Sequence, residues 1–149
     1  MSAEPDVEEI SLIEILGGKK TLGSKVRQED DLIKKIQQGL PYKTLESVMA
    51  TTAISLALLS HFLGVTERTL QRRQAQKVLT KAESDRIVRL AKLFERTAKV
   101  LGDREEAKTW LHHPNITLGN RTPLEMMDDP ISEERVYAVL GRIEHGVYS

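Results

Sequence analysis

Arg68, Gln71, Arg72 and Arg73 come after a glycine-valine turn in the segment LLSHFLGVTERTLQRR, residues 58–73. Side chains of these types can hydrogen-bond to base edges, arginine to guanine and glutamine to adenine. Their spacing is that of a DNA-binding helix-turn-helix. Ser60 supplies the small residue where two helices cross, and Gly64 takes a left-handed turn without a Cβ penalty. Val65 anchors the turn, Thr66 caps the second helix and Leu70 faces inward. Thr66, Glu67, Arg68, Gln71 and Arg72 then point outward on the first turns, the positions that reach into a major groove. Thr69, Arg73 and Lys77 are better placed for phosphate. Glu67 repels phosphate unless it pairs with Arg68 or accepts from cytosine.

Helix–glycine–helix corners also occur in proteins that bind no DNA, so the motif needs support. Charge supplies some. The 149 residues carry zero net charge, but the distribution is uneven. Residues 1–17 hold five acids and no base, while residues 66–99 hold ten bases against four acids. Residues 100–149 return to nine acids and five bases. A positive middle between negative ends points to a localised anion-binding surface; a long solvated helix face is the plainer alternative.

The elements that would position these residues are helices. Apolar residues recur at helical spacing and strict alternation never persists, so the chain reads as all-α. Residues 1–9 read as disordered. A short helix is expected over 10–16, a basic loop after it, and a helix over about 24–38 that uses Val26, Leu32, Ile33 and Ile36. Further helices are expected over 42–50 and from Ser55 to the Gly64 stop. Thr80 and Glu83 form a capping box for a long helix that buries Ile87, Leu90, Leu93, Phe94, Ala98 and Leu101 and stops at Gly102. Asp103 caps the next helix, through Trp110 and Leu111, with Trp110 a core residue. Thr122, Pro123 and Glu125 signal another helix start. Ser132 opens the last helix, with Val136, Val139, Leu140 and Ile143 on one face. Beyond Gly146 the residues Val147, Tyr148 and Ser149 form a tail that is either frayed or held by a partner.

Other chemistries find little support. There is no cysteine, which removes disulfides, zinc fingers and thiol nucleophiles and suits a reducing cytoplasm. No apolar run approaches a membrane span, and the acidic start is unlike a signal peptide. Adjacent His112 and His113 diverge by about 100° on a helix, and His61 and His145 have no ligand partner at useful spacing, so no metal is expected. No phosphate loop or nucleophile–base set is legible, so neither an enzyme nor a cofactor is expected.

The helix-turn-helix, LTKAESDRIVRLAKLFERTAKVLGD, WLHHPN, LGNRTPLEMM and LGRIEHGV occur in one order. Together they resemble the Xre/MbcA/ParS antitoxins, which partner RES-domain toxins in bacterial toxin–antitoxin operons. The resemblance covers roughly residues 42–149. It implies an N-terminal Cro-like helix-turn-helix domain followed by a helical toxin-binding domain: an extension over 1–40, a DNA-binding region over 41–79 and a toxin-binding region over 80–149. It also implies a toxin that acts on NAD, silenced when the antitoxin covers its active site, and an operator bound for autoregulation. Ser84, Asp85, Arg86 and Arg89 match a family stretch and read as structural. Residues 110–124 read as scaffold. By the same resemblance Arg142, His145, Gly146, Val147 and Tyr148 are the candidates for toxin contact. A homodimer and a toxin–antitoxin hetero-oligomer are expected. The competing reading is a stand-alone helix-turn-helix regulator whose C-terminal half only dimerises.

Overall fold

A computed structural model describes residues 11–146, built from helices and turns with no strand among them. The expected disorder of residues 1–9 lies outside the described residues. Two compact units divide the chain, Ser11–Lys92 and a second that begins at Leu93.

The first unit contains α1 (Leu12–Ile15), α2 (Gly18–Leu22), α3 (Glu29–Gln38), α4 (Tyr42–Thr52), α5 (Leu56–Leu63), α6 (Glu67–Gln76) and the start of α7 (Lys81–Leu101). Its core is aliphatic, with Ile15, Leu16, Leu40, Leu45, Leu59, Leu70 and Leu79 all at most 2% exposed. Ser55 and Thr66 cap α5 and α6 by accepting from the N–H groups of Leu58 and Thr69, which satisfies donors that a helix start leaves orphaned.

Three local expectations fail here, one being Ile33, which is 48% exposed although its spacing puts it among the apolar residues of its helix. The basic loop after Gly17 contains the helix α2. The helix expected from residue 24 starts only at Glu29. Val26 is buried, as its pattern implies, but from the loop. Three acids, Glu29, Asp30 and Asp31, favour a helix start at that point. The Asp31 carboxylate accepts from the N–H groups of both Arg27 and Gln28 at 3.1 Å. Those two bonds hold its carboxyl below the ordinary carboxylate range.

Residues before α4 and before α7 pair like a fragment of sheet. Tyr42 N–H donates to the Lys77 carbonyl at 3.1 Å and Leu79 N–H to the Leu40 carbonyl at 2.8 Å. Gly39 makes that approach possible. Its φ is +95°, and a methyl placed there would overlap the Leu79 carbonyl oxygen.

Helix α7 opens with the reciprocal cap that the sequence implies. Glu83 N–H donates to the Thr80 hydroxyl at 3.1 Å, and Thr80 N–H donates to Glu83 Oε1 at 2.9 Å. The Glu83 carboxylate also receives the Arg73 guanidinium, Nε lying 2.9 and 3.1 Å from its two oxygens. Burial pushes the Glu83 carboxyl up, but the bonds from Arg73 and Thr80 outweigh it and hold it below the ordinary carboxylate range.

The second unit comprises the rest of α7, α8 (Arg104–His112), 3₁₀ turns at Ile116–Leu118 and Glu125–Asp128, and α9 (Pro130–Glu144). Its core joins Leu93, Phe94, Ala107, Leu111, Met127, Val136 and Leu140. Asp103 caps α8 by accepting from the Glu106 N–H at 2.9 Å. Thr122 and Glu125 form their reciprocal box, as the sequence signals. The box opens only a 3₁₀ turn, because Asp129 accepts from the Ser132 N–H and starts α9 a few residues later. Helix α9 therefore begins at Pro130, two residues before the expected Ser132. Leu101 and Ile143 are half-buried at the ends of their helices, and Trp110 is half-buried where a core position was expected.

Two outcomes test this arrangement. Gly39→Ala should destabilise the chain well beyond the cost of about 1–3 kcal/mol for a Gly-only backbone region. Gly23→Ala, at φ +98° with nothing within 4 Å of the added methyl, should cost only that backbone term. Equal unfolding midpoints for the two variants would overturn the close approach at Gly39. The second outcome concerns acid. A carboxyl held below its ordinary range contributes stability above its unfolded pKa and loses it as pH falls through the folded value. The stability gap between wild type and Glu83→Gln should therefore narrow on acidification from neutral pH. A gap that stays constant across a pH series of thermal melts would refute the ion-pair assignment.

Candidate DNA and toxin interfaces

The turn between α5 and α6 is built by hydrogen bonds that the sequence pattern implies. Gly64, at φ +72°, donates its N–H to the His61 carbonyl at 3.1 Å, and Val65 N–H donates to the Ser60 carbonyl at 3.1 Å. These bonds satisfy carbonyls at the end of α5 and reverse the chain. Ser60 is buried, with its hydroxyl donating to the Ala57 carbonyl at 2.8 Å. Leu70 is completely buried and Val65 half-buried, which fixes which side of α6 faces out.

That outer side carries Thr66, Glu67, Arg68, Gln71 and Arg72, all exposed. Thr69 is half-buried; its hydroxyl accepts from the Thr66 hydroxyl at 3.1 Å and from Arg72 Nη2 at 3.3 Å. Lys77 ends the helix in a left-handed conformation, φ +68°, with its side chain exposed. Arg73 differs from its neighbours. Its side chain is 18% exposed and its guanidinium is engaged by Glu83, with Nη1 also donating to Gln76 Oε1 at 3.4 Å. The exposed set thus holds Arg68, Gln71, Arg72 and Lys77 together, while Arg73 is turned toward α7. Local spacing assigns Glu83 only its capping role and gives no sign of this pairing with Arg73.

In the second unit, the end of α9 carries the candidate residues for toxin contact. Arg142 is exposed. His145 donates its N–H to the Gly141 carbonyl at 3.0 Å, and Gly146 donates to the Ile143 carbonyl at 3.2 Å before leaving the helix at φ +69°. Val147 and Tyr148 lie outside the described residues. Glu144 is exposed, as expected, and forms a two-pronged pair with Arg96 at 2.5 and 3.1 Å. The Arg96 guanidinium holds its carboxyl below the ordinary range. Open space lies beside Gly141. Elsewhere in this unit an open groove of about 470 Å³ is lined by Leu101, Glu105, Glu106, Thr109, Trp110 and His113.

Among the described residues no helix is long and apolar enough to cross a membrane, and no group of histidine and acidic side chains could hold a metal ion. Residues 31–92 match the antitoxin Xre-like helix-turn-helix domain. Residues 96–146 match the antitoxin Xre/MbcA/ParS C-terminal toxin-binding domain. The chain is 29% identical over 120 residues to an antitoxin Xre of Yersinia enterocolitica, covering 79% of this chain and 81% of that protein. It is 27% identical over 132 residues to an antitoxin Xre of Photorhabdus laumondii, covering 87% of this chain and 89% of that one. With a helix-turn-helix domain for DNA followed by a toxin-binding domain, the chain belongs to the Xre/MbcA/ParS family of antitoxins of toxin–antitoxin systems.

Proposed function

We propose that this antitoxin neutralises a RES-domain toxin that degrades NAD, and that it does so in the cytoplasm by covering the toxin's active site. The contact is made by Arg142, His145, Gly146, Val147 and Tyr148. The observation that carries this reading is the arrangement at the end of α9. Arg142 is exposed there, while the neighbouring Glu144 is held by Arg96 within the unit. An exposed arginine on an anchored helix end loses little conformational freedom on insertion, and Arg and Tyr commonly dominate interface energy.

On the DNA side, a homodimer binds the operator and represses its own operon. Two half-sites are needed because one helix-turn-helix buries little DNA surface. Arg68, Gln71 and Arg72 contact base edges; Thr66, Thr69 and Lys77 contact the backbone. Glu67 lies at the helix start, where its charge limits phosphate approach.

Two experiments test the two halves separately. Arg142→Ala and Tyr148→Ala should each weaken co-purification with the adjacent gene product, by about 2 kcal/mol or more for an interface hot spot. Far-ultraviolet dichroism should stay unchanged. Cells expressing that gene alone should lose NAD, and wild-type antitoxin should restore it. Full protection by both variants would sink the plugging role, and unchanged NAD would sink the RES identity. Arg68→Ala and Arg72→Ala should each weaken operator binding by about 1–3 kcal/mol in a salt-matched gel shift. Equal binding by wild type and both variants would remove α6 from the DNA interface.

A further inference from the structure

Two side chains on one face of α7 hold the helix-turn-helix at two points. Glu83 and Arg86 are three residues apart, so they project from the same side of the helix. Glu83, whose side chain is 5% exposed, grips the second helix of the motif through Arg73. Arg86 reaches the first helix, where Nη1 donates to the Leu63 carbonyl at 2.8 Å and to the Phe62 carbonyl at 3.5 Å. A cation there also meets the negative end of the α5 dipole. The Arg86 guanidinium lies close over the turn, its Nη1 standing 2.8 Å from where a Cβ at Gly64 would be. One turn on, the Arg89 guanidinium lies 5.5 Å from the centre of the Phe62 ring.

We propose that Glu83 and Arg86 are positioning residues for DNA recognition, fixing the direction in which α6 is presented by holding the motif at the end of α5 and at Arg73. The inference rests on the reading of α6 as the DNA-contacting helix. Neither residue needs to touch DNA. The physical argument turns on tolerance. A base-edge hydrogen bond works only over a few tenths of an ångström and a limited angle. A phosphate contact is largely Coulombic and falls off slowly with distance. A small tilt of α6 therefore breaks base contacts and spares phosphate contacts, so loosening the grip removes selectivity before it removes affinity.

The test measures fluorescence anisotropy of the full chain at one salt concentration. One probe is a duplex spanning the promoter upstream of the chain's own gene, and the other is a scrambled duplex of equal length. Glu83→Gln retains an acceptor for the Thr80 N–H and loses the ion pair. Arg86→Gln removes the cation at the end of α5. Each should lower affinity for the promoter duplex about tenfold, on the order of one lost base contact, and leave the scrambled duplex unchanged. Arg86→Lys should recover part of the lost selectivity. Thr80→Ala is the stability reference, because it removes the cap hydroxyl and leaves the Arg73–Glu83 contact in place. It should lower the melting midpoint and keep the wild-type ratio of the two affinities.

A wild-type ratio in folded Glu83→Gln and Arg86→Gln would overturn the proposal. So would a loss in Thr80→Ala as large as that in Glu83→Gln, since stability alone would then explain the effect. Arg68→Ala with Arg72→Ala serves as the control. If that double variant also keeps the ratio, α6 does not read the promoter and the positioning role falls with it. If it loses the ratio while the α7 variants keep it, only the positioning role fails.

Discussion

A carboxylate at Glu83 would be costly to bury alone, and the helix-turn-helix unit is arranged so that it is not alone. Breaking a buried pair by removing one partner costs about 3–5 kcal/mol, mostly because the remaining charge is stranded. Arg73 retains some contact with water, so the cost here falls toward or below the lower end of that range. Both of its oxygens accept from Arg73, ten residues back, and Oε1 also accepts from the Thr80 N–H at the head of α7. A bond that only capped α7 would leave α6 without this side-chain tie to α7. A bond that only paired with Arg73 would leave the start of α7 frayed. Joining the two ties α6 to the first turn of α7.

The backbone around that junction depends on it in turn. Leu79 donates to the Leu40 carbonyl, and Leu40 donates to the Ser84 hydroxyl at 2.8 Å. Ser84 is completely buried, and its hydroxyl donates to the Thr80 carbonyl at 2.7 Å. The first turn of α7 thus satisfies polar groups from the segment before α4 as well as its own. Gly39 permits this because no side chain stands between the two stretches of backbone. An unpaired polar group in a buried cluster of this kind is costly, and here each of these groups has a partner.

The features legible in the sequence are local ones. The Ser60, Gly64 and Thr66 spacing, the Thr80–Glu83 box and the Asp103 cap each involve residues within six positions, so type and spacing suffice. The features that stay hidden depend on distance along the chain. Helical spacing puts Glu144 correctly on the solvent side, but nothing in the residues around it points to its pairing with Arg96, 48 residues earlier. Arg73 resembles one more outward base because its partner sits on the next helix. The start of α3 is misplaced by periodicity because Val26 carries the apolar period correctly yet reaches the core from a loop. Thr122 to Glu125 gives a true cap and no α-helix, because the competing cap at Asp129 is only a few residues away.

The same difference between local and long-range pairing bears on how the charge of the chain is used. Ten bases between residues 66 and 99 suggest a broad positive surface. Arg73 is given to Glu83, Arg96 to Glu144 and Arg86 to backbone carbonyls, while Arg89 lies over Phe62 and Lys81 approaches Asp85 at 3.8 Å. Half of those bases therefore have internal work. Each engaged guanidinium keeps its charge but loses freedom to meet a phosphate at close range, and counterion release scales with phosphates contacted rather than with bases present. Arg68 and Arg72, by contrast, lie exposed on one side of α6, with Lys77 at its end. A protein of zero net charge has a weak long-range pull on DNA. On the proposed reading of α6, binding to a particular site then depends on how accurately a few of its side chains are held, and Arg73 and Arg86 are the internal arginines placed to hold them.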